Sequence, residues 1–110
     1  MANAFKSGGT NTIGLTKTTI YTAPALTTST VIGLSVSNVL TTETTAKVDV
    51  ILGKGASEYY IIRGAPIMPG GALIAVGGDQ KLVLEAGNTV KVVSSIAASV
   101  DAIVSVLEVS

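Results

Sequence analysis

The sequence predicts an all-β fold, and three observations predict it. β-Branched residues (14 Val, 10 Ile and 14 Thr among 110) make up over a third of the chain. Such side chains are stiff at χ1 and suit a pleated sheet better than a helix. Short apolar runs that alternate with period two recur about every ten residues, and Gly, Pro and Asn gather between them. No long window keeps a helical period. A chain of 110 residues is one domain, since single cores span roughly 50–200 residues. The expected architecture is a single β-sandwich, jelly-roll-like, of about eight antiparallel strands over residues 16–110, with an N-terminal arm over residues 1–15.

Residues 1–15 are polar and glycine-rich, with Phe5 as their one aromatic. Ordering them costs about 1–2 kcal/mol of backbone entropy per residue, which a lone Phe does not offset. The arm is therefore expected to be ordered only against a neighbouring subunit. Thr18 to Thr22 reads as a short strand ended by Ala23-Pro24. Ser29 to Val39 is a longer one, with Ile32, Leu34 and Val36 on one face and Gly33, Ser35 and Ser37 on the other. After a polar loop, Ala46, Val48, Val50 and Leu52 alternate with Lys47, Asp49 and Ile51, and Gly53-Lys54-Gly55 makes a hairpin turn. Ser57 to Arg63 follows, apolar on both faces. Pro66 and Pro69-Gly70-Gly71 bracket a bend before the strand Ala72 to Val76. Gly77-Gly78-Asp79 turns the chain into Lys81 to Glu85, with Leu82 and Leu84 inward. Ala86-Gly87-Asn88 is a tight turn, Val90 and Val92 alternate with Lys91 and Val93, and the last strand runs from Val100 to about Val109.

Composition excludes more than it names. Seven Lys and Arg balance seven Asp and Glu, so the chain lacks the basic face that displaces counterions from phosphates, and no nucleic-acid partner is expected. There is no His and no Cys, which removes the commonest general base, thiolate ligands and disulfides. No S-x-x-K or G-x-S-x-G pairs a nucleophile with a base. The seven carboxylates, Glu43, Asp49, Glu58, Asp79, Glu85, Asp101 and Glu108, fall at turns or outward positions and read as solvated charges. Gly53-Lys54-Gly55 lacks the rest of a phosphate-binding loop, and Asp79 and Glu85 stand in no Ca²⁺-loop pattern. The expectation is a non-enzyme without catalytic residues, cofactor or metal. The uncharged stretch from Thr18 to Thr42 contains Pro24 and many hydroxyls, a poor bilayer span, and MANAFKSGG lacks the apolar core of a signal peptide. Tyr59 and Tyr60 alternate in facing and so cannot form one aromatic platform for a sugar, which counts against a glycan-binding module, the alternative from another class.

Several strands are apolar on both sides. Tyr59 and Ile61 stand against Tyr60 and Ile62, Leu73 and Ala75 against Ile74 and Val76, and Ala102, Val104 and Val106 against Ile103, Leu107 and Val109. A strand apolar on both faces needs cover on both, and in a two-layer domain the second cover comes from another subunit. Parity with Leu82, Leu84, Val90 and Val92 assigns Val104 and Val106 to the core. The subunit-interface candidates are Tyr60, Ile62, Ile103, Leu107 and Val109.

In the segments Tyr21-Thr22-Ala23-Pro24, Val31-Ile32-Gly33-Leu34, Arg63-Gly64-Ala65-Pro66, Gly77 to Glu85 and Ser105-Val106-Leu107-Glu108, the chain resembles small virion structural proteins of tailed phages, particularly marine and cyanobacterial ones. The resemblance covers most of the chain from Thr18 onward, on turn and strand patterns rather than catalytic signatures. It implies a β-rich, non-enzymatic part of a virion, assembled in the host cytoplasm, whose partners are itself and other virion proteins. A capsid decoration or cement protein on the major capsid protein suits the small neutral domain best. A tail, neck or fibre-attachment component is the other virion role.

Overall fold

The computed structural model describes residues 3–77 and 79–110. Its nine strands are β1 (Asn3–Ile13), β2 (Thr18–Thr22), β3 (Thr28–Asn38), β4 (Ala46–Lys54), β5 (Ser57–Ile67), β6 (Ala72–Val76), β7 (Leu82–Leu84), β8 (Thr89–Ser94) and β9 (Val100–Val109). One sheet, here sheet A, runs β1-β9-β3-β6, with β7 also on β3; the other, sheet B, runs β2-β8-β4-β5. All pairings are antiparallel. β6 lies beside Leu34–Ser37 of β3 and β7 beside Ser29–Val31, so the two are successive segments of one edge position. Counted that way, the eight positions have the strand order of a jelly roll. The chain changes sheets at every connection except the β4–β5 hairpin and the β6–β7 join.

The alternation read from the sequence builds the core. Val31, Leu34, Val36, Val104 and Val106 from sheet A meet Val48, Val50, Val90 and Val92 from sheet B, all of them fully buried. The core holds no Phe or Trp and is filled mostly by β-branched and small side chains, together with Leu34 and Leu84, which interdigitate well between two pleated surfaces.

Three expectations change. The arm expected over residues 1–15 is, for residues 3–13, strand β1, paired with β9 in unbroken register from Asn3↔Val109 to Thr10↔Ala102. Composition underestimated it because β9 supplies main-chain partners that do not depend on apolar side chains. Ile32, expected inward with Leu34, lies instead at a bulge between Val31↔Val106 and Gly33↔Ser105. The extra residue reverses parity, so Val31 is buried and Ile32 faces outward. Glu108 is not a solvated charge. It follows Val104 and Val106 on the inward side of β9 and is buried at the rim of the sandwich.

Candidate interaction face

The outer face of sheet A follows from register. On β9, Ile103, Ser105, Leu107 and Val109 alternate with the core residues, and they stand opposite Gly9, Ser7, Phe5 and Asn3 of β1. On the other side they meet Ser35, Gly33 and Thr30 of β3, beyond which lie Ile74 of β6 and Val83 of β7. Phe5 (77% exposed), Ile74 (65%), Ile103 (57%) and Val83 (56%) thus belong to one surface. Among its described strand residues, Asp101 is the only ionisable one. It sits at one end, where its carboxylate accepts the Thr12 N–H at 3.0 Å. Everything between is apolar, glycine or hydroxyl.

Glycine shapes this face. An added Cβ at Gly9 or Gly33 would meet nothing within 4 Å. The Ile103 side chain therefore stands between two hollows, one lined by Gly9, Thr10, Asn11 and Asp101, the other by Gly33, Ser35, Ile74 and Gly77. A third depression lies between Phe5, Ser7, Ile32 and Ser105. Knobs beside hollows on a face with few charges are suited to burying apolar surface against a complementary partner.

The interface candidates do not all come together. Ile103, Leu107 and Val109 share the outer face of sheet A. Tyr60 is on the far side of the molecule, opposite Ile51 on the outer face of sheet B, with the Arg63 guanidinium 5.0 Å from its ring centroid. Ile62 is removed from the interface set: it pairs with Val50 and packs against the core. Phe5, Ile32, Ile74 and Val83 were not singled out from sequence. Phe5 lay in the supposed arm, Ile32 and Ile74 sit beside register shifts, and Val83 is one residue in a three-residue strand.

Sheet B presents a different surface. Glu58 accepts from Lys17 at 2.8 Å and from Lys91 at 3.1 Å. These two ammonium groups hold the Glu58 carboxyl below its usual range, and Glu58 in turn raises Lys17. Thr19, Gly53, Glu58, Thr89 and Lys91 line a shallow polar depression there. Inside the rim, the Tyr21 hydroxyl donates to Glu108 Oε2 at 2.5 Å and lies 2.7 Å from Ser29 Oγ, while Lys6 Nζ reaches Glu108 Oε1 at 2.9 Å. The Lys6 ammonium first, then the Tyr21 hydroxyl, holds the Glu108 carboxyl below its usual range. The Glu108 cluster ties β1, β2, β3 and β9 together. Among the described residues, no three His, Cys, Asp or Glu side chains stand together as a metal-ligand set, and no helix is long and apolar enough to cross a membrane.

No family model, no characterised protein and no solved structure matches the chain. The resemblance to phage virion proteins accordingly rests on the sequence segments quoted above.

Proposed function

We propose that this chain is a non-enzymatic structural protein of a phage-type particle, a decoration protein that seats the outer face of sheet A on the head surface. One observation carries the reading: a broad face of β1, β9, β3, β6 and β7 that is apolar and nearly free of charge, on a small domain whose core is already complete without it. Monomers rarely leave such faces uncovered, and patches of this kind mark protein contacts. The jelly roll agrees by analogy, being an architecture used in capsid and lectin domains, although a fold alone does not assign a function. Virion assembly in the host cytoplasm, with the major capsid protein as partner, is part of the same proposal.

The test is copy number. Quantitative mass spectrometry of particles carrying this chain should find hundreds of copies per particle. Six to a few tens would move it to the tail or neck, and absence from every particle fraction, with selective binding on a glycan array, would replace the reading with a glycan-binding module.

A further inference from the structure

We infer that two copies of this chain pair edge to edge through β1, antiparallel about a two-fold axis at Ser7, joining their two A sheets into one. The inference goes beyond the particle reading, because it concerns free copies and stands whether or not the face of sheet A meets a capsid.

The four sheet edges are not alike. β5 is interrupted by two register irregularities and carries Glu58, Arg63 and Pro66. β2 has five residues and an irregularity of its own. The β6/β7 edge is made of segments of five and three residues. Bulges, charges, proline and shortness are the devices that keep an edge from pairing with another chain. Over Asn3–Thr10 β1 has only one of them, the charge of Lys6, and its register with β9 is unbroken. Among the described residues no strand pairs with its other side. Its one cation, Lys6, is already engaged by Glu108 of the same chain.

The register follows from side-chain facing. In an antiparallel pair, directly opposed residues point to the same side, so a two-fold axis must place odd positions opposite odd positions. An axis at Lys6 would set two lysines face to face, which is unfavourable. An axis at Gly8 would carry the pairing past Thr10, where β1 loses its register and Thr12 takes a positive φ of 52°. An axis at Ser7 keeps seven residues, from Ala4 to Thr10, within the regular stretch. It sets Ala4 opposite Thr10, Phe5 opposite Gly9, Lys6 opposite Gly8, and Ser7 opposite itself. Phe5 and Gly9 both face outward, and nothing lies within 4 Å of where a Gly9 Cβ would be. The exposed ring of each copy then covers the bare glycine of the other, the cross-strand pairing by which aromatics stabilise glycine in a sheet. The two outer A faces become one continuous surface on the same side of the joined sheet.

Sedimentation of the unmodified protein across the micromolar range should show a monomer–dimer equilibrium. Ser7→Lys places like charges at the axis and should weaken the dimer several-fold with an unchanged circular dichroism spectrum, and mixing Ser7→Lys with Ser7→Glu should restore it. Because the chain has no native cysteine, Ser7→Cys should cross-link to itself on oxidation or with a short bis-alkylating reagent. Ala4→Cys should cross-link to Thr10→Cys but not to itself. A strictly monomeric protein overturns the inference, as does a dimer that Ser7→Lys leaves intact while Ile103→Asp dissolves it; the second result would place the contact on the face and leave the particle reading standing. Cross-linking of Ala4→Cys to itself would overturn the register.

Discussion

Replacing Val104 by Asp puts a carboxylate between Leu34 of β3 and Gly8 of β1, in a cluster of buried aliphatic side chains. Burying an unpaired charge costs several kcal/mol against a total stability of about 5–15, so Val104→Asp should unfold the protein by circular dichroism. A milder test is Gly14→Ala. Its Cβ would lie 2.8 Å from the Ala98 amide nitrogen and 3.1 Å from Ala97 Cα, both backbone atoms that cannot rotate away. Overpacking of that kind costs about 1–3 kcal/mol, to be read as a lower urea midpoint. Glu108 gives a pH signature instead. Its folded pKa lies below the usual 4.5, so its contribution is fully present above that value and is lost as pH falls through the lower folded value. Acid unfolding should therefore be shallower in Glu108→Gln than in the parent chain, and an identical acid limb in both would show the Lys6 and Tyr21 contacts to be inert. The parity that assigned Val104 and Val106 to the core was legible in the sequence. The burial of Glu108 was only half so: its parity matched theirs, but its partner Tyr21 is 87 positions away, and no local pattern announces that contact.

Strands rich in alternating Val and Ile were recognisable because one face of each must be apolar, and β8 and β9 follow their patterns closely. β4 follows its own only to Val50: Ile51, expected outward, is fully buried and Leu52, expected inward, only partly so. β1 was not recognisable, since its register is imposed by β9 and its own side chains bury little. Bulges were also hidden: one extra residue at Ile32 leaves no mark in composition, yet it reverses which side of β3 faces the core. β5 shows what such irregularities do at an edge. Near its second irregularity Gly64 takes φ +68°, and its N–H donates to the Asp49 carboxylate at 2.7 Å. A side chain in that left-handed region costs about 1–2 kcal/mol, so Gly64→Val should lower the urea midpoint correspondingly. Irregularities of this kind are among the devices that keep an edge from pairing with another chain. Gly64→Val variants that remain folded should aggregate faster on light scattering; an unchanged aggregation rate would deny β5 that protective role.

At the scale of the molecule the two sheets divide their tasks. Sheet B shows water an ion network of Lys17, Glu58 and Lys91, while sheet A shows it a surface of Phe5, Ile74, Val83 and Ile103 with Asp101 at one end. The sequence revealed that some strands were apolar on both sides, but not that the second sides of β9, β3 and β6 converge, because strand order is a property of the jelly-roll crossings and not of any one strand. If this surface is what the protein uses, Gly33→Val and Ile103→Asp should separate assembly from stability. The Gly33 position has open space where a Cβ would be and no positive φ, and valine favours a strand, so Gly33→Val should match or slightly exceed the parent in thermal melting. It nevertheless fills the hollow beside Ile74, so a partner shaped to that hollow should bind at least several-fold more weakly. Ile103→Asp, more than half exposed, should also fold, because its carboxylate stays in water until a partner covers it. Leu107→Asp, further along the same strand face, should behave alike. Thermal melting of each variant, set beside its incorporation into particles, decides the matter. Loss of incorporation with normal melting supports docking through sheet A, while normal incorporation of both Gly33→Val and Ile103→Asp would remove that face from the assembly.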